Sequence, residues 1–160
     1  MAAKSNPKPR SGCPVSVSLD IFGDRWSLLI IRDMMVRGYR TFREFQYAGE
    51  GIATNILSDR LNKLGAAGLL TTEPVEGDGR SAYYRLTPKG IALAPVLLEL
   101  LIWAGHHEKT AASCAAVEHL EQNREYILAE AHRRWEQHDS TPLIPPFVSQ
   151  VKSPKGKSKR

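Results

Sequence analysis

Cysteine is scarce. With only Cys13 and Cys114 in 160 residues, no disulfide framework can be built, which excludes the small stapled secreted scaffolds. No stretch approaches the ~18 uninterrupted apolar residues of a membrane span, and no secretory leader is visible, so the chain reads as cytoplasmic with no membrane partner. A phosphate-binding glycine loop, a nucleophile elbow and a paired-carboxylate arrangement are also missing, so neither an enzyme nor a cofactor is expected. His106, His107, His119 and Cys114 invite a metal reading, but adjacent histidines on a helix diverge by about 100° and do not converge on one ion. No metal site is expected.

Charge is present but unevenly placed. The formal net charge is +5. Residues 1–10 hold Lys4, Lys8 and Arg10, and residues 152–160 hold Lys152, Lys155, Lys157, Lys159 and Arg160, with no acid in either stretch. The remainder is net acidic, and within it residues 25–89 carry ten basic and seven acidic groups, against four and eight in 90–151. The high isoelectric point therefore resides in the ends, whose Pro, Ser, Gly and Lys content predicts disorder. A hydrophobic content of 42% suffices for one packed domain between them.

Residues 51–90, GIATNILSDRLNKLGAAGLLTTEPVEGDGRSAYYRLTPKG, are the most informative segment. Leu57, Leu61 and Leu64 share one side of a helix over Ala53 to Gly65, while Asn55, Ser58, Asp59 and Asn62 fan out opposite. That second face has short amide and hydroxyl groups and no large apolar one, which suits approach to base edges; Asn pairs in a bidentate way with adenine. Gly65 and Gly68 bracket the helix end. A strand at Leu70 to Glu73, turn chemistry at Pro74 to Ser81 and a return strand at Ala82 to Leu86 then form a hairpin carrying Arg80 near its tip, with Asp78 placed to hold the arginine. Thr87 and Pro88 start another helix.

Upstream, Asp24 caps a core helix over Arg25 to Val36, and Thr41 to Glu44 is a capping box opening a short helix to about Tyr47, with Phe42 and Phe45 facing inward. AGEG then turns the chain into the Ala53 helix, as helix-turn-helix geometry requires. The fold class is mainly α with a small β-hairpin wing: a winged helix-turn-helix with additional C-terminal dimerisation helices. The function that follows is sequence-specific reading of double-stranded DNA, the alternative being a winged-helix protein-interaction module.

GCPVSVSLDIFGDRWSLLIIRDM, the TFREF box, NILSDRLNKLGAAGLL and YRLTPKG, taken in order, resemble the HxlR family of bacterial transcriptional regulators, relatives of the MarR winged-helix group. The resemblance covers about residues 11–108. It implies a homodimer on operator DNA, with the recognition helix at Thr54 to Leu64 and the wing around Asp78 to Arg80. The expected DNA-binding set is Thr54, Asn55, Ser58, Asp59, Arg60, Asn62, Lys63, Arg80 and Ser81, in which Arg60 and Lys63 take phosphates. Where the family often has serine before this helix, Ala53 stands here, so either Thr54 caps the helix or it starts less firmly.

The expected organisation is a disordered basic arm at 1–10, the winged helix at 11–108, a helical extension at 109–140 and a disordered basic tail at 141–160. Residues 91–103, IALAPVLLELLIW, are apolar nearly all round, which predicts a second partner for the helix, supplied by dimerisation, and a kink or restart at Pro95. Val117 to Gln137 reads as one further helix, whose stripe of Leu120, Ile127, Leu128, Ala131 and Trp135 is available to extend the interface. Two-fold pairing predicts an inverted-repeat operator. Cys13, just before Pro14 at the start of a helix to about Phe22, is either an inert cysteine of the fold or a redox and electrophile sensor. The resemblance adds support to the second reading without displacing the first, because some members sense through a cysteine at this GCP position. A small-molecule effector of unspecified chemistry is compatible with this picture.

Overall fold

The computed structural model describes residues 11–75 and 77–144, with backbone alone at 78–80. The elements run α1 (Pro14–Phe22), α2 (Arg25–Val36), α3 (Phe42–Gln46), α4 (Thr54–Ala66), β1 (Leu70–Val75), β2 (Asp78–Leu86), α5 (Pro88–Ile91), α6 (Ala94–His107), α7 (Cys114–Gln122) and α8 (Arg124–Glu136). This is the expected mainly helical fold with one antiparallel hairpin. The basic arm at 1–10 and the tail from 145 onward lie outside the described residues.

Local signals set most helix starts. The Asp24 carboxylate accepts from the backbone N–H groups of Trp26 and Ser27, satisfying two donors that α2 itself cannot pair. At α3 the Thr41 hydroxyl accepts from Glu44 N–H at 3.2 Å, and Glu44 reaches back to accept from Thr41 N–H at 2.8 Å. Thr87 accepts from Gly90 N–H at 3.1 Å, with Pro88 in the first turn.

The core gathers the inner faces of these helices. Leu57, Leu61 and Leu64 of α4 are fully buried against Ile30 and Ile31 of α2 and Phe45 of α3, with Leu70 and Leu86 closing it from the hairpin. The end of α4 is a Schellman turn, in which Leu69 N–H donates to Leu64 O, Gly68 N–H donates to Gly65 O, and Gly68 takes φ +72°. The start of α5 ties down the same end. Thr87 Oγ1 donates to Gly68 O (2.7 Å), Thr87 N–H to Leu69 O (3.0 Å) and Lys89 Nζ to Ala67 O (2.7 Å).

Three expectations change. The strands run further toward the tip than Glu73 and Ala82, because cross-strand pairing continues through Pro74↔Ala82 to Val75↔Asp78 with a register shift between those pairs. Pro74 is tolerated because each strand of a two-stranded ribbon is an edge. The expected single helix from Val117 is two, broken at Asn123, which leaves helical angles at φ −115° and ψ 26° while its side-chain amide (2.8 Å) and its backbone N–H (3.1 Å) both donate to His119 O and close α7. The stripe on α7 and α8 is also spent inside the chain. Leu120 and Ile127 pack with Leu98 and Ile102 of α6, and Trp135 packs on the main core. The same cluster takes in Leu143 and Ile144, and Leu143 N–H donates to Val36 O, so packing continues past the expected boundary at 140.

At Pro95 the helix restarts: α5 ends at Ile91 and α6 begins at Ala94, with the proline in its first turn. The stretch Pro88–His107 has a mean hydropathy of 1.4, enough by length and composition to cross a bilayer, yet it is interrupted there and buries Leu97, Leu98 and Ile102 in the cores. Its other side leaves Val96, Leu100 and Trp103 exposed.

Candidate nucleic-acid interface

Two short helices joined by a glycine-bearing turn present α4 to solvent. After α3, Gly49 (φ +92°) and Gly51 (φ +73°) take backbone angles that side-chain-bearing residues resist, and the chain enters α4 at Ala53. Two arginines of the α2 end brace this turn. Arg37 donates to Ala48 O at 2.9 Å and Arg32 to Glu50 at 3.0 Å, while both guanidiniums rest on buried Asp33. Burial raises the Asp33 carboxyl above its ordinary value in spite of the two cations.

On α4, Thr54, Asn55, Ser58, Asp59 and Asn62 are all exposed, opposite the buried leucines. The structure therefore brings the five neutral or short polar positions of the expected set onto one open face. Ala53 occupies the N-cap and makes no side-chain cap bond, while Thr54 is the first helical residue rather than the cap. Of the two alternatives for this start, the less firm one is observed.

Arg60 and Lys63 behave differently from the rest. Arg60 Nε lies 3.2 Å from Asp24 Oδ1, Arg60 Nη1 lies 3.4 Å from Asp59, and Lys63 Nζ lies 3.8 Å from Asp24 Oδ2. Both cations expected on phosphates are turned, in the chain alone, onto the carboxylate that caps α2. Burial works against ionisation of Asp24. The Ser27 hydroxyl and amide, the Arg60 charge and the Trp26 amide outweigh it, and hold the carboxyl below its ordinary value. Sequence reading identified Asp24 as a cap and missed this second role, because nothing local to α2 or α4 signals that their ends meet.

In the wing, Gly77 takes φ +82° at the turn, Ser81 is exposed, and Arg80 belongs to β2 by its backbone. The side chains of Asp78 and Arg80, and with them the expected contact between the two, lie outside the described residues. The wing root is well defined. Tyr84 sets its ring edgewise on Phe45 at 5.9 Å, Arg85 donates to Trp135 O at 3.1 Å, and Trp135 Nε1–H donates to Leu86 O at 2.8 Å. α8 thus braces the hairpin, and Trp135, expected on a stripe available to the dimer interface, is used inside the chain instead.

Cys13 is exposed at the N-cap of α1. Its side chain makes no cap hydrogen bond, but the nearby Ser16 and Val15 amides at the start of α1 lower its thiol below the ordinary value, against a small opposing effect of burial. Cys114 is exposed at the first residue of α7. His106 pairs with Glu121 at 3.1 Å, and among the described residues no group of three or more His, Cys, Asp or Glu side chains could hold a metal ion.

A family model described as the HxlR-like helix-turn-helix matches residues 21–112, from the end of α1 past the end of α6. The chain belongs to this family. An uncharacterized HTH-type transcriptional regulator of Bacillus subtilis (strain 168), YybR, is 31% identical to this HxlR-like protein over 104 residues, 64% of this chain and 82% of the relative. A second from the same organism, YvaP, is 33% identical over 93 residues, 58% and 85% of the two chains. Among solved structures, PA1607, a proposed transcription factor, superposes with a TM-score of 0.58 at 39% identity over 65% of this chain and 71% of its own. The redox regulator HypR in its oxidized form gives 0.55 at 26% identity, covering 61% of this chain and all of HypR. The HxlR-like protein is thus a transcriptional regulator of the HxlR/MarR-like winged-helix type, and its relatives indicate no enzymatic activity.

Proposed function

We propose that this regulator is a homodimer that reads an inverted-repeat operator in double-stranded DNA, in the cytoplasm of a bacterial cell. The observation that carries the reading is the exposed face of α4, where Thr54, Asn55, Ser58, Asp59 and Asn62 stand clear opposite three buried leucines. In this reading Asn55 and its neighbours meet base edges in the major groove. Arg60 and Lys63 reach the flanking phosphates, and Arg80 and Ser81 serve the adjacent groove from the wing. Dimerisation uses the exposed apolar side of α6, with Val15 and Leu19 of α1, 66% and 55% exposed, as further apolar surface.

The test is selection of bound duplexes from a random pool. A recovered inverted repeat is expected, and Asn55→Ala is expected to lose about 1–3 kcal/mol of discrimination at one position of each half-site. Affinity that falls with salt but favours no sequence would overturn the operator reading in favour of non-specific binding. Failure to bind any duplex would leave the fold as a protein-interaction module.

The signal proposed for this regulator is an electrophile or oxidant met at Cys13, supported by its exposed place at the N-cap of α1, where the nearby amides lower its thiol, and by the likeness to HypR. With an electrophilic alkene, the thiolate forms the Sγ–C bond, the displaced π pair takes a proton from water, and no external oxidant is consumed. In the Cys114→Ala protein, the alkylation rate of Cys13 is expected to rise with a midpoint below the ordinary thiol value of about 8.5. A midpoint at or above that value removes the physical basis of the assignment.

A further inference from the structure

The Asp24 carboxylate sits where two elements meet, and its partners leave it no freedom. Oδ1 accepts from the backbone of Trp26 and Ser27, both at 3.0 Å, and Oδ2 accepts from the Ser27 hydroxyl at 2.6 Å. These donors belong to the rigid start of α2, so the negative charge cannot swing away from α4. Against it lie the two cations of the recognition helix, Arg60 Nε at 3.2 Å and Lys63 Nζ at 3.8 Å. Asp59 adds a second carboxylate to Arg60. The four groups sum to no net charge, although a count of lysine and arginine on α4 alone suggests two cations ready for phosphate.

We infer that Asp24 is a specificity-determining residue: it occupies Arg60 and Lys63 in the chain alone and on random DNA, and yields them to phosphate, Lys63 first, only when α4 is seated on its operator. The inference rests on the DNA-reading function proposed above. Sequence-independent affinity comes almost wholly from neutralised phosphates, so a cation already paired within the protein contributes little to it. A seated helix brings the phosphate within reach, and the more distant, more exposed partner is the first to change hands. Lys63 is that partner, with a side chain 38% exposed against 24% for Arg60. Asp24 thereby widens the gap between operator and random DNA by weakening the second.

Asp24→Asn separates this role from the structural one, because asparagine caps a helix about as well as aspartate while carrying no charge. Binding of the full chain to a non-operator duplex and to the selected operator is measured across a range of salt. Asp24→Asn is expected to bind the non-operator duplex several-fold more tightly, with a log–log salt slope steeper by roughly 0.9 for each phosphate gained. Adding Lys63→Ala to it is expected to return the slope toward that of the wild type. Lys63→Ala alone is expected to weaken operator binding and leave non-operator binding unchanged. An unaltered slope in Asp24→Asn, or a full unit lost from the non-operator slope by Lys63→Ala alone, overturns the inference; the second result would mean that Lys63 already holds a phosphate on any sequence. If Asp24→Asn does not fold, the two Lys63→Ala measurements decide by themselves. Absence of wild-type binding to every duplex overturns the DNA-reading function, and the inference with it.

Discussion

Gly90→Ala is expected to destabilise the protein by about 3–5 kcal/mol, and in a chain of this size to lower the melting temperature by roughly 10 °C or more. A Cβ at position 90 would stand 2.1 Å from Leu69 O and 3.0 Å from Leu86 Cδ2. The first of these is backbone, held in place because Leu69 O accepts from Thr87 N–H and follows directly on the Schellman turn that ends α4. It cannot move without loosening α4 from α5. Space is what demands glycine here, and the same substitution elsewhere is expected to act in the opposite direction. Gly65 lies inside α4, and an added Cβ would meet nothing nearer than Leu70 Cδ1 at 3.6 Å. Gly65→Ala is therefore expected to leave stability unchanged or raise it by up to about 1 kcal/mol through helix propensity. Thermal and urea melts of the two variants check both signs. Equal effects would show that α5 does not press on the loop after α4 as described.

Trp103→Glu is expected to weaken self-association by about 2–4 kcal/mol, roughly thirty- to a thousandfold in the dimer constant, because buried tryptophans dominate the interfaces they join. Trp103 is 57% exposed on α6, in line with Val96 and Leu100, while Leu97, Leu98 and Ile102 of the same helix face the cores. Its described ring contact is with His107, one turn along, so its removal spares the packing of its own chain. A glutamate there would carry charge into the joint. Sedimentation equilibrium measures the loss, and operator affinity is expected to fall with it, since a half-site alone offers half the contacts. A folded Trp103→Glu protein with an unchanged dimer constant would move the interface off this face of α6.

The parts of this fold that were legible in the sequence are those whose cause is local. Asp24, the Thr41–Glu44 pair and Thr87–Pro88 each fix a helix start from within a few residues, and the helices begin where those residues put them. The split between buried leucines and open polar positions on α4 was also readable, since helical period alone separates Leu57, Leu61 and Leu64 from Asn55, Ser58 and Asn62. What escaped depends on contacts between distant segments. The ladder through Pro74 and Val75 is set by pairing with β2, and turn-forming residues masked it. Asn123 reads as a tolerable helix residue until its backbone is seen to leave helical angles between α7 and α8. Ion pairing of Arg60 and Lys63 with Asp24 requires α2 and α4 to pack first, so spacing along either helix is silent about it.

The two ends of α4 differ in how firmly they are held. At its end, the carbonyls of Ala67, Gly68 and Leu69 are each tied to the start of α5; at its beginning, Ala53 contributes no side-chain bond. Opening free energy should therefore climb along the helix, from fraying of a single turn at Thr54 and Asn55 to opening of the domain at Leu64. On the proposed operator, conformational adjustment of α4 to a base sequence would be confined to that first turn, with the leucine-bearing end staying in place.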